Sequence, residues 1–129
     1  MIHTFNAHVY YEDTDLAGIV YYANYLRFIE RARTEWVRGL GVDQTELKER
    51  EGIVFAVRRV EADYLAPAKF DDDLTIETSV EAVTGARIVV KQDVKRGADL
   101  LFSAMVTLVA LTDTGAPARL PAELRLMLH

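Results

Sequence analysis

Hydrophobic and polar positions change their period twice along the chain. Residues 2–12 hold the β-formers Val9, Tyr10 and Tyr11 and predict a strand. A polar stretch follows, Asp13-Thr14-Asp15-Leu16-Ala17-Gly18. Beyond it, apolar side chains at 22, 25, 29, 32 and 36 keep the i, i+3, i+4, i+7 rhythm and predict a helix from Tyr21 to Leu40. Tyr21, Leu26, Phe28 and Val37 widen its apolar stripe, while Glu30, Arg31, Arg33, Glu35 and Arg38 occupy the remainder. A helix so patterned is largely enclosed, with one wet edge. Gly39 and Gly41 are stop signals. Asp43 to Arg50 predicts a shorter polar helix, capped by Asp43 with Glu46 three residues on.

The period then drops to two. Ile53 to Leu65 predicts a strand that ends before Pro67. Leu74 to Ala82 sets Leu74, Ile76, Val80 and Ala82 against Thr75, Glu77, Ser79 and Glu81. Thr84-Gly85 is a turn, Arg87 to Arg96 alternates again, and Arg96-Gly97-Ala98-Asp99 is a second turn. Leu100 to Leu111 is nearly all apolar, as expected of a central strand buried on both faces. Pro121 to His129 suggests a closing helical turn or two. Tight joins imply antiparallel pairing. The expected class is α+β, one domain over residues 1–129, with an antiparallel sheet of about five strands wrapped around one long helix. Such a sheet leaves edges, which favours pairing with a second copy.

Composition narrows the chemistry. The chain has 129 residues and no cysteine, so disulfides, thiolate metal sites and a cysteine nucleophile are excluded together. Ser79 and Ser103 stand in strand-like segments without a G-x-S-x-G turn, which argues against a serine hydrolase. His3, His8 and His129 lack the i,i+4 spacing of a helical metal site. The net charge is −5 and no basic tail exists, so nucleic acid is not an expected partner. The longest uncharged run, Leu100 to Thr112, falls well short of the ~20 residues of a helical span. The first basic residue is Arg27, unlike the basic start of a signal peptide. The expectation is a soluble cytoplasmic protein without membrane insertion.

Chemistry concentrates between Tyr10 and Tyr25, in YYEDTDLAGIVYYANY. Two carboxylates, Asp13 and Asp15, precede a helix whose first turn has unpaired N–H groups and a positive dipole end. Gly18 permits close approach of a ligand or backbone. The N–H groups can hold an oxyanion, and a carboxylate can attack a carbonyl or activate water. A plain reading competes, in which Asp13 and Asp15 are turn and cap residues. A calcium loop does not fit, because counting from Asp13 puts Asn24 where a bidentate Glu is needed. Asp71-Asp72-Asp73 reads as a solvated turn.

The pattern D-x-D-x-x-G-x-V-x-[YH]-x-x-Y, continued by R-x-x-[YW] at Arg33 to Trp36, resembles the signature of the hotdog-fold acyl-CoA thioesterases, the YbgC-like and 4-hydroxybenzoyl-CoA thioesterase group. D-Y-x-x-x-A-x-x-D-D at Asp63 to Asp72 is similar to that family too. The resemblance implies a thioester hydrolase with Asp15 as the catalytic carboxylate. It makes the backbone N–H of Tyr22 the donor to the thioester oxygen. YbgC-like members often carry His where this chain has Tyr22, whereas the hydroxybenzoyl enzyme has Tyr. The family works as dimers or tetramers with each site at a subunit boundary, which implies a homodimer or homotetramer. The substrate it implies is a small or medium acyl-CoA. The alternatives are an acyl-carrier-protein thioesterase and a non-catalytic acyl-binding protein of the same fold.

No cofactor is needed for such chemistry. A thiol leaves readily at a pKa near ~8.5, so a carboxylate and an oxyanion donor suffice. Asn24 is expected to orient substrate or water, and Tyr25 to wall the acyl pocket beside Phe28. CoA phosphates require local positive charge. Arg87, Lys91 and Lys95 share one strand face and are the candidates, with Arg87 and Lys91 foremost.

Overall fold

The computed structural model describes residues 1–128; His129 lies outside the described residues. Strands β1 (Ile2–His8), β2 (Ile53–Tyr64), β3 (Asp73–Val83), β4 (Arg87–Arg96) and β5 (Asp99–Thr112) form an antiparallel sheet in the order β1-β3-β4-β5-β2. A two-residue strand, β6 (Pro117–Ala118), pairs with β5. The helices are α1 (Asn24–Gly39), α2 (Gln44–Glu51) and α3 (Ala122–Leu128), the last being the closing turns anticipated from Pro121 onward.

The sheet curls around α1. From the helix, Tyr25, Phe28, Ile29, Ala32, Trp36 and Val37 are buried against Leu74 and Ile76 of β3, Ile88, Val90 and Val94 of β4, and Leu101 to Ala110 of β5. Each large apolar side chain so enclosed contributes about 1.5–3 kcal/mol. Two polar residues, Thr78 and Gln92, enter this core without any exposure. Gln92 is fully buried, and its Nε2 donates to the Ile29 carbonyl and to Thr78 Oγ1, each at 2.9 Å. Its Oε1 accepts from the Arg33 guanidinium at 3.0 Å. Burial pulls the Arg33 pKa below its ordinary value, against the opposing field of Glu30.

The helix ends follow local chemistry. Asp43 caps α2 by accepting from the Glu46 N–H at 3.1 Å. Gly41, at φ +84°, turns the chain after α1, a conformation that glycine adopts without strain.

Three sequence expectations are corrected. The first strand stops at His8 rather than residue 12, because the Asp13 carboxylate accepts the Tyr10 N–H at 2.9 Å and folds Tyr11–Asp13 into a short 3-10 turn. The long helix starts at Asn24 rather than Tyr21, because the Tyr21 carbonyl accepts from Asn24, three residues on, at 2.8 Å and the Tyr22 carbonyl from the Tyr64 hydroxyl at 2.9 Å, so neither is bonded four residues on as a helix requires. Strand β5 is central but buried on one face. Leu101, Phe102, Ala104, Val106, Leu108 and Ala110 are covered by the helix side, while Ser103, Met105, Thr107 and Val109 are half-covered on the outer side. The sheet has one helix layer, so its second face stays open in the single chain.

Candidate active site

The D-x-D-x-x-G loop folds on its own backbone before it meets the helix. Thr14 and Val20 form an isolated bridge that closes Asp15–Ile19 into a tight loop. Asp15 supplies most of the closure. Its N–H donates to the Ile19 carbonyl at 2.9 Å, its carbonyl accepts from Gly18 at 3.0 Å, and its Oδ1 accepts from the Ala17 N–H at 2.9 Å. Gly18 stands at φ +78°, where any side chain would be strained.

The two carboxylates then separate. Asp13 is buried, with Oδ1 accepting from Asn24 Nδ2 at 2.8 Å and Oδ2 accepting from the Tyr10 N–H. Asp15 is exposed in the single chain and lines a cavity of 480 Å³. Ile19, Val20, Tyr21 and Tyr22 form one wall of the cavity, Tyr25 comes from α1, and Tyr64 to Pro67 close the other side. The wall is aromatic. Tyr25 stacks on Phe102 at 4.9 Å and 9°, and Tyr64 stands edge-on to Tyr25 at 5.5 Å and to Phe102 at 5.1 Å. Burial raises the pKa of both tyrosines, against the Ala68 N–H that Tyr25 accepts, so both hydroxyls keep their protons.

The Tyr22 N–H meets no acceptor among the described residues, and neither does that of Ala23. The cavity therefore brings together a carboxylate and free amides ahead of a helix. Of the residues singled out from the sequence, Asp15, Tyr22 and Tyr25 line it, and Gly18 shapes its loop. Asn24 is buried and holds Asp13, which puts it behind the wall rather than in the cavity. Phe28 is core. Arg87 and Lys91 face outward from β4, on the side of the sheet that the helix does not cover. Lys91 lies 3.8 Å from Asp93, and Lys95 is paired with Glu77 at 2.8 Å.

The triple aspartate is more than a solvated turn. Asp72 accepts from the Lys69 N–H and from Arg96, each at 2.8 Å. Burial pushes its carboxyl upward, but those donors outweigh it and hold it below the usual value. Asp71 and Asp73 flank His8, at 2.9 Å from Nε2 and 2.7 Å from Nδ1. With the Asp73 bond foremost, the His8 pKa rises above its ordinary 6.5. This clamp joins β1 to the 66–72 segment that borders the cavity. Tyr64 was not anticipated at the site. Its signal was its place in D-Y-x-x-x-A-x-x-D-D, a segment that a strand reading alone leaves featureless.

One sheet wrapped on one helix, with an aspartate and free amides at the helix entrance, defines a hotdog-fold hydrolase. The chain matches the family model described as thioesterase superfamily over residues 17–103 and belongs to that family. It is a thioester hydrolase. Within the family it is 43% identical over 128 residues to the acyl-CoA thioesterase YbgC of Haemophilus influenzae, covering 98% of this chain and 93% of that one. A crystal structure of a probable thioesterase from Bartonella henselae superposes with a TM-score of 0.90 at 40% identity, covering 94% of this chain and 100% of that one. A 4-hydroxybenzoyl-CoA thioesterase, solved with 4-hydroxybenzoyl-CoA in an aspartate-to-asparagine variant, superposes with a TM-score of 0.91 at 25% identity, covering 99% of each chain.

Proposed function

We propose that the chain hydrolyses a small or medium acyl-CoA to the free acid and CoA, with Asp15 as the acting carboxylate. The observation that carries this reading is the shared cavity of Asp15 and Tyr22, whose N–H has no acceptor among the described residues. The acyl carbonyl sits between them. Its oxygen takes the Tyr22 N–H, and the Asp15 oxygen left free by the Ala17 bond faces the carbonyl carbon or a water beside it. In the water route, Asp15 takes a proton from the water as the new C–O bond forms. Collapse of the tetrahedral intermediate breaks the C–S bond and releases CoA as thiolate, which a solvent proton neutralises. In the direct route, Asp15 attacks the carbonyl carbon, the C–S bond breaks to release CoA as thiolate, and the acyl anhydride left on Asp15 is opened by water to the free acid and the regenerated carboxylate. One oxyanion donor is worth about 10²–10³ in rate.

The site needs a second copy to close it. Asp15 is exposed in the single chain, and β2 is an edge strand ending at Tyr64 in the cavity wall. Val57 and Val60 lie on the helix side of β2, yet are 46% and 38% exposed. A homodimer or homotetramer joined along β2 covers these valines and places partner residues at the cavity. Arg87 and Lys91 act on CoA phosphates in such an assembly when a neighbouring copy brings its outer sheet face to the cavity mouth. Acyl carrier protein is the alternative carrier of the same acyl group.

The test is thiol release from a panel of acyl-CoA and acyl-carrier-protein substrates, run beside Asp15→Asn. Expected is acyl-CoA turnover that falls at least ~10²-fold in the variant with thermal unfolding unchanged, because charge is lost while shape is kept. Full activity in the variant would give the chemistry to another group. Preference for the acyl-carrier protein would move the reading to the alternative carrier.

A further inference from the structure

We propose that Tyr64 is a positioning residue whose hydroxyl pins the Tyr22 carbonyl and so holds the peptide on the far side of Tyr22, next to the Tyr22 N–H that receives the substrate oxygen; the kinetic part of this inference rests on the thioesterase reading above.

The helix entrance leaves one carbonyl without a helical partner. In a regular α-helix the Tyr22 carbonyl would accept from Leu26, four residues on. Here the Leu26 N–H donates instead to Ala23 at 3.1 Å, a tighter first turn. The Tyr22 carbonyl is taken up from outside the helix by the Tyr64 hydroxyl, at 2.9 Å and 42 residues away in sequence. No other donor meets it among the described residues.

That bond fixes a peptide plane. A trans amide points its C=O and N–H in opposite directions. Anchoring the Tyr22 carbonyl therefore sets the direction of the Ala23 N–H. The preceding plane is fixed in the same way, because the Tyr21 carbonyl accepts from the Asn24 N–H at 2.8 Å and so sets the Tyr22 N–H. Tyr22 thus hangs between two pinned planes, one held by Asn24 and the other by Tyr64. The Tyr22 and Ala23 N–H groups, which meet no acceptor among the described residues, are the ones whose directions these bonds decide.

Tyr64 is itself well braced. Phe102 and Tyr25 flank its ring, and Tyr22 stands edge-on at 6.4 Å. Half its surface is open, so water reaches the hydroxyl bond. A water can replace the hydroxyl but not its fixed direction. Removing the oxygen while keeping the ring separates aiming from walling.

The experiment is Tyr64→Phe in the full chain, read in two ways. First, kcat and KM are measured on an acyl-CoA that the wild type hydrolyses. Expected is a kcat lowered about tenfold with KM within about twofold, as for misalignment of reacting groups without loss of binding. Second, the amide resonances of Tyr22 and Ala23 are compared in the two proteins without substrate. Expected is a displaced Ala23 amide nitrogen resonance, since its peptide loses the hydroxyl on the Tyr22 oxygen, with resonances of α2 unmoved. An unchanged kcat, or KM rising in step with any kcat loss, overturns the aiming role and leaves Tyr64 as an acyl wall. An unmoved Ala23 resonance overturns the pinning itself. A wild type that hydrolyses no acyl-CoA would defeat the thioesterase reading, while the resonances would still decide whether Tyr64 sets the peptide.

Discussion

Asp13 and Asp15 share one turn of backbone, yet the two halves of that turn are built differently. Asp13 is 4% exposed, with its oxygens given to the Tyr10 N–H and the Asn24 amide. It ties β1's exit to the first residue of α1. Asp15 spends one oxygen within its own loop, on Ala17, and turns to a cavity that its neighbours leave apolar. The same side chain is buried where its hydrogen bonds join distant parts of the chain and left facing a cavity where they do not. Sequence proximity to a helix start says nothing about which is which.

The sharpest way to break this comparison is to remove each charge in turn. If the division holds, Asp15→Asn costs at least ~10²-fold in turnover, while Asp13→Asn costs much less; equal losses would mean the two roles are not separate. Stability should reverse the order. Asp13→Ala leaves a buried amide and a backbone N–H without their acceptor, and should lower the urea unfolding free energy by about 2–3 kcal/mol. Asp15→Ala, losing a bond within an exposed turn, should fall within about 0.5 kcal/mol of wild type.

A smaller effect comes from the clamp on the far side of the loop. The His8 pKa is raised in the folded chain, so its contribution is fully present below the unfolded value of about 6.5 and is lost as pH rises through the folded one. Urea midpoints of wild type and His8→Gln, compared from pH 5 to 9, should differ most at pH 5 and converge toward pH 9. A gap that is independent of pH would mean that the clamp works without the imidazolium charge.

Much of this architecture was legible in the residues, and the misses have physical causes. Period two gave β3, β4 and β5 to within about a residue, because each has one face on the helix. The 3.6 period gave α1 but began it too early: Tyr21 and Tyr22 continue the apolar stripe although their backbone is tied to Asp13 and Tyr64. Periodicity records where side chains are buried, and these two tyrosines line a cavity instead. The motif marked Asp15, but the burial of Asn24 was invisible because its partner is a side chain eleven residues upstream. The role of Tyr64 escaped notice for a related reason: its motif marks the position, but a hydrogen bond across 42 residues leaves no mark on periodicity. The outer placement of Arg87 and Lys91 did follow from alternation; their absence from the cavity lining did not, because alternation assigns a face without saying what lies behind it.

Gln92 carries a final consequence. A smooth hydrocarbon trough would let a rod slide lengthwise or roll within it at little cost. The amide that grips the Ile29 carbonyl and the Arg33 head acts as a key in that trough. Ile29 lies five residues beyond Asn24, about 7.5 Å along the rod at 1.5 Å per residue. The lengthwise seat of the rod that opens onto the Asp15 cavity is therefore gauged from inside the molecule, by a notch that is no part of the cavity lining.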